Sequence, residues 1–223
     1  HGAMNILEYK DQGFLPEAML NYLVRLGWSF GDQEVFNTQE MIDAFDVKNI
    51  NKSSAKFDLE KLEWLNQQHL SNSDNSELTE FLKLNTSLKG LPSEKTIDSF
   101  LDAYKPRVNN LNELVGYFNT LYAEDFTVED SAAEKFLKQE IQVPFQDLLE
   151  MLEQVEWNAE SINQSVKSTC ENHGIGFGKI GQPLRVAITG GTESPSIDLT
   201  MTLLDREIVI SRIKKAIEYI SNQ

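Results

Sequence analysis

The sequence predicts an all-α protein, and three observations carry that expectation. Apolar residues recur at helical spacing along nearly the whole chain, residues suited to helix starts stand just ahead of those stripes, and only the short stretch RVAIT (185–189) alternates like a strand. Roughly ten short helices follow from this pattern, with ends uncertain by two to four residues.

Pro16 suits the first position of a helix over PEAMLNYLVRLG, with Leu20, Leu23 and Val24 on one face and Gly27 at its end. Asn37 and Glu40 have the spacing of a capping box ahead of Met41, Ile42 and Phe45. Asp58 can cap LEKLEWLNQQHL, and Ser93 can cap a helix carrying Ile97, Phe100, Leu101 and Tyr104. Leu111, Leu114, Val115, Phe118, Leu121 and Tyr122 form the strongest stripe. Ser131 and Glu134 repeat the capping-box spacing, Pro144 opens FQDLLEMLEQV, and Asn158 precedes AESINQSVKSTCENHG. The last helix carries Val209, Ile213, Ala216, Ile217 and Ile220. The polar stretch SNSDNS (71–76) and the acidic stretch AEDFTVED (123–130) are the expected joints between subdomains.

Composition narrows the classes. The 223 residues are 40% hydrophobic, enough for a sizeable core. No apolar run is long enough to span a bilayer and no basic-then-apolar leader is present, so a cytoplasmic location without a membrane partner is expected. Cys170 stands alone and cannot form an internal disulfide. The chain opens on His1 rather than Met, which suggests a fragment. A net charge of −15 argues, on average, against a nucleic-acid partner.

The charge is segregated, however. Three windows, 47–57, 103–112 and 174–192, hold no acid among 40 residues and carry seven bases: Lys48, Lys52, Lys56, Lys105, Arg107, Lys179 and Arg185. The third window also contains six of the 12 glycines. Such stripes on an acidic body can attract phosphate locally while the remainder suppresses nonspecific binding. The pattern leaves a second reading open, a helical module whose acidic faces dock a basic protein.

Several motifs point nowhere. Gly176, Gly178 and Gly181 spell the dinucleotide fingerprint, but a helix rather than a strand precedes them, and a glycine loop is the simpler reading. Cys170 and His173 lack the second pair that a zinc site needs. With His1, His69 and His173 the only histidines, a nucleophilic triad would be accidental. No phosphate loop and no catalytic constellation stands out, so neither a metal nor a cofactor is expected in this chain.

Three stretches together resemble bacterial glutamyl-tRNA synthetase: GFLPEAMLNYLVRLGWSFGDQEVF (13–36), NKSSAKFDLEKLEWLN (51–66) and GKIGQPLRVAITGGTESP (178–195). In that family HGA follows the KMSKS-type loop, so His1-Gly2-Ala3 resembles the residues just after it. The resemblance implies that the ATP, Mg²⁺ and glutamate sites lie upstream. It further implies a stem-contact helical domain at 1–70 and two small anticodon-binding helical subdomains at 71–127 and 128–223. The implied partner is a glutamate-accepting tRNA, not DNA, bound by a monomer.

Residue roles follow from the same resemblance. The family's P-L-R motif carries over to Arg185, its T-P pair to Ser194-Pro195, and the apolar position beyond to Ile197. Its P-R pair matches Pro106-Arg107, implying that Arg107 reads the third anticodon base, C in glutamate tRNA and G in glutamine tRNA. The chemistry is consistent, because a guanidinium only donates, cytosine offers O2 and N3 as acceptors, and guanine presents donors at N1 and N2. Lys105, Lys179, Lys48, Lys52 and Lys56 are candidate phosphate contacts, and Trp28 is expected in the core.

Overall fold

The computed structural model describes residues 5–51 and 56–223, so His1, Gly2, Ala3 and Lys52 lie outside the described residues. Among those described, thirteen α-helices and three short 3-10 turns are joined by loops, no strand forms, and one isolated antiparallel bridge links Trp28 to Ile50. The helices are α1 (Ile6–Asp11), α2 (Pro16–Gly27), α3 (Thr38–Ala44), α4 (Leu59–Asn72), α5 (Asn75–Asn85), α6 (Glu94–Tyr104) and α7 (Leu111–Tyr122). They continue with α8 (Asp130–Phe136), α9 (Gln142–Leu152), α10 (Ala159–Asn172), α11 (Phe177–Thr189), α12 (Ile197–Thr202) and α13 (Arg206–Ser221).

Most starts follow from local chemistry. Asn37 accepts from the Glu40 amide at 2.9 Å while the Glu40 carboxylate accepts from the Asn37 amide at 2.8 Å, a complete capping box. Asp58, Asn158 and Ser93 accept from the amides of Lys61, Ser161 and Thr96. Each such cap satisfies a donor the helix leaves orphaned, a gain of about 1 kcal/mol. Two starts differ from expectation. α8 is preceded by Glu129, whose side chain makes no cap, so Ser131 lies inside the helix rather than ahead of it. α9 begins two residues before Pro144, which sits in the first turn, where no amide donor is needed.

The largest departure is RVAIT, which is the end of α11 and not a strand. Val186, Ala187, Ile188 and Thr189 are all buried, so no polar face marks the helical period. A fully buried apolar run cannot be told from a strand by periodicity.

The chain divides into two compact units. The first takes in the chain to Thr86 with Tyr104–Tyr117, and the second Ser87–Ala103 with Phe118–Gln223, so the division falls inside α6 and α7. In the first unit α2 packs on α4, burying Phe14, Met19, Tyr22, Leu62 and Leu65. A second cluster of Trp28, Phe36 and Met41 sits beside α3, with Trp28 stacked on Phe30 at 5.9 Å, which places the tryptophan in the core as expected. Asn21 is fully buried and joins this unit's loops: its amide donates to Glu34 O, and its oxygen accepts from the Phe36 amide and lies 3.0 Å from His69 Nε2. In the second unit α9 packs on α10 and α13, and α11 packs on α8, α10 and α13. Phe145, Leu148, Ile162, Val166, Leu184, Ile188, Val209 and Ile213 are fully buried there.

Candidate nucleic-acid interface

Arg107 ends a 3-10 turn, Lys105–Arg107, in the first unit, and three hydrogen bonds tie the stretch from Lys105 to Asn109 to α4 and the residue after it. Gln67 donates to Pro106 O at 3.1 Å, the buried Asn66 amide donates to Asn109 O, and Lys105 Nζ donates to Ser73 O at 2.9 Å. Asn66 also accepts from the Leu15 amide at 2.8 Å, so one side chain ties the entry of α2 to the segment after Arg107. Gly13 completes the join. Its φ is 84°, its carbonyl accepts from Leu111, and a Cβ there would come within 2.7 Å of the Asn112 nitrogen. On this braced turn the Arg107 side chain is exposed, and among the described residues it has no hydrogen-bonding or ion-pair partner. A fixed backbone carrying an unengaged fork of donors suits recognition of acceptors on an incoming group.

Lys105 is placed differently from its neighbour. Its ammonium donates one hydrogen bond to the carbonyl after α4, beside Asp74, whose own carboxyl is held below its ordinary range chiefly by Ser76 and in smaller part by this lysine. A phosphate contact at Lys105 would take away about one unit of salt slope on replacement. The geometry supports an internal brace instead. Lys105→Gln is therefore expected to cost about 1 kcal/mol of stability, read by thermal unfolding, and to leave the salt slope of RNA binding unchanged.

Arg185 belongs to the second unit, on the last turns of α11. Its Nε donates to Ser194 Oγ at 2.9 Å, and one Nη donates to Gln182 Oε1 at 2.6 Å. Gln182 in turn donates to Thr192 O at 3.0 Å, and Ser194 donates to Pro195 O at 2.8 Å. The guanidinium is thus oriented by both the helix and the loop that follows it. The loop turns at Gly190, with φ 80°, whose amide closes α11 onto Val186 O and where a Cβ would meet Thr127 O at 2.6 Å. Only glycine fits that position.

Of the residues singled out by sequence, Arg185 and Ser194 are brought into direct contact, with Pro195 buried next in the chain. Ile197 is only 2% exposed and packs in the core at the start of α12, so it shapes the loop from beneath. Lys179 is exposed near the start of α11, and Lys48 and Lys56 are exposed in the first unit. Gln182, Asn66 and Gln67 were missed. Gln182 lies three residues before Arg185, a signal readable only once the segment is known to be helical.

Between Ile180 and Gly190 the acid-free window has a plainer cause than an anionic partner. Ile180, Gly181, Pro183, Leu184 and Val186–Thr189 are buried, and a carboxylate among them would be desolvated. The segment also carries Pro183 inside the helix, where it removes one ladder bond, and burial on nearly every side offsets that loss. Arg185 is the one charge in the buried part of this helix, and Lys179 lies in its exposed first turn.

Among the described residues the chain is thus all-helical, with one exposed arginine in the first unit and one clamped arginine in the second. The family model described as "Anticodon binding domain" matches residues 63–217, and the chain belongs to that family. Residues 1–64 match the catalytic-domain model of the class I tRNA synthetases for glutamate and glutamine. Among curated proteins the chain is 38% identical to glutamate–tRNA ligase 1 of Nitrosococcus oceani and 40% to that of Alkalilimnicola ehrlichii, in each case over 100% of this chain and 48% of the other. It therefore spans about half the length of these relatives, aligned to their C-terminal half. A crystal structure of a glutamate tRNA ligase from Elizabethkingia meningosepticum, in complex with its amino acid, covers 95% of this chain and 43% of its own, with a TM-score of 0.83 and 30% identity. The glutamate–tRNA synthetase of Elizabethkingia anophelis covers 94% and 42%, with a TM-score of 0.77 and 29% identity.

Proposed function

We propose that this chain binds a glutamate-accepting tRNA and reads its anticodon, serving a cytoplasmic, monomeric ligase that attaches glutamate to tRNA with ATP. The observation that carries the reading is the clamp of Arg185 by Gln182 and Ser194, within the stretch that matches the anticodon-binding family. Anticodon bases are splayed and single-stranded, and their Watson–Crick edges are read by side chains held in one orientation. Ser194, where the family has threonine, keeps the hydroxyl that orients Arg185 and lacks one methyl.

The roles divide along the chain. Residues 1–70 contact the stem, 71–127 hold the first anticodon-binding subdomain with Arg107, and 128–223 hold the second with Arg185, Ser194 and Pro195. Lys48, Lys52 and Lys56 contribute phosphate contacts on the stem side. ATP and Mg²⁺ would serve the reaction of the whole ligase. Among the described residues no three His, Cys, Asp or Glu side chains gather as a metal would require, and residues 1–64 match part of the catalytic-domain model of the class I synthetases. Among the described residues no helix is long and apolar enough to cross a membrane.

The test is direct titration of tRNA. The logarithm of affinity should fall linearly with the logarithm of salt, with a slope set by several released counterions. Binding that ignores salt, or a basic protein captured in place of RNA, supports the acidic docking module instead.

A further inference from the structure

We infer that a groove in the second unit, lined by Lys135, Lys138 and Lys179, takes a backbone phosphate of the bound RNA; the inference rests on the tRNA reading above. The groove has a volume of about 710 Å³. Three separate pieces of chain supply its lysines: Lys135 from α8, Lys138 from the link to α9, and Lys179 from the first turn of α11. All three are exposed, and among the described residues none pairs with a carboxylate, in a chain carrying 35 acids. Lys135 lies over the Phe136 ring at 5.1 Å, and three cations without a carboxylate partner, lining one hollow of an acidic protein, repel one another unless an anion sits among them.

The walls fit a nucleotide better than a bare ion. Phe136, Ile141, Ile175 and Pro183 supply apolar surface, and the volume falls within the roughly 300–1,000 Å³ of small-molecule sites, far beyond what inorganic phosphate fills. Gly176 and Gly178 also line the groove, and a Cβ on either would meet nothing within 4 Å, so a phosphate can come close to the backbone. One acid, Glu140, shares the lining and sets a limit, leaving the groove with a net charge of about +2. RNA carries its phosphates regardless of sequence, so this contact anchors the molecule without reading it.

The experiment uses the whole chain and a glutamate-accepting tRNA, titrated from about 50 to 200 mM KCl. Wild type is compared with the triple variant Lys135→Gln, Lys138→Gln, Lys179→Gln and with Glu140→Gln. The triple variant should bind about tenfold more weakly and show a salt slope shallower by about two units, since each single-strand contact contributes about 0.7. The factor should be the same for a tRNA with a replaced anticodon. Glu140→Gln should bind about two- to threefold more tightly, an effect that a purely structural role would not produce. Unchanged slopes in both variants, with wild type still binding, overturn the groove assignment alone. If wild type binds no tRNA at any salt, the tRNA reading falls and this inference with it. Inorganic phosphate that shifts the Gly176 and Gly178 amides in wild type but not in the triple variant, with tRNA slopes unchanged, assigns the groove to free phosphate and overturns the RNA source.

Discussion

Arg212→Leu should lower the stability of the second unit by about 3 kcal/mol, a melting temperature lower by roughly 10 °C. Arg212 lies on α13 and is 5% exposed, with no acid beside it among the described residues. Its guanidinium instead donates to two carbonyls, Ile188 O in α11 and Leu121 O in α7, the latter at 2.8 Å, and lies 3.7 Å from the Phe126 ring centre. Leucine fills much of the space but leaves both acceptors unpaired, each costing about 1–3 kcal/mol, partly offset because no cation is then buried. Burial pushes the arginine pKa down to about 10. A base depressed in the fold carries its burial cost at every pH below that value and is relieved only above it. Arg212 therefore stays charged at neutrality, and its contribution should be flat between about pH 6 and 9. Thermal unfolding of wild type and variant at three pH values checks both statements. A loss under 1 kcal/mol would mean that water reaches the two carbonyls.

Arg185→Ala should weaken tRNA binding about 10- to 100-fold while moving the melting temperature by only a few degrees. The affinity estimate follows from the value of an arginine aligned with base acceptors, about 1–3 kcal/mol. The stability effect is small because Arg185 is half-buried and its partners Ser194 and Gln182 stay close to solvent, where water can replace it. Ser194→Ala keeps the arginine and removes its orientation, so its loss should be smaller, about three- to tenfold. Binding and melting measured on the same preparations separate the roles. A fall of 10 °C or more with affinity intact would make Arg185 a structural tie.

These two arginines also show what could be read from the chain alone. Helices with a polar face and a cap were plain, because Asn37, Asp58, Ser93 and Asn158 stand where orphan amides need acceptors. α11 was not, since Gly176, Gly178, Gly181 and Pro183 all discourage a helix locally and its burial hides the period. Tertiary packing against α8, α10 and α13 overrides both signals. Arg185 and Arg107 were singled out only by resemblance to the P-L-R and P-R motifs. Arg212 carries no motif, and its partners lie 24 and 91 residues away. Lys105 is similar, because its carbonyl partner is 32 residues distant and nothing in KPR announces it. Long-range bonds from a cation to a backbone carbonyl leave no sequence pattern, whereas caps and apolar stripes do.

Anticodon reading, as proposed, requires that arginines of this chain contact bases and do not merely attract phosphates. Arg107 tests it most directly, being exposed, unpartnered among the described residues, and set on a braced turn. The measurement is the affinity of wild type and Arg107→Gln for glutamate tRNA and glutamine tRNA at matched salt. Wild type should favour glutamate tRNA by about 1–3 kcal/mol, because guanine at the third anticodon position would set donors against donors. An amide both donates and accepts, so the variant should bind glutamate tRNA more weakly and narrow the gap to within about threefold. Equal losses for both tRNAs, with the gap unchanged, would contradict the account and leave Arg107 an electrostatic anchor.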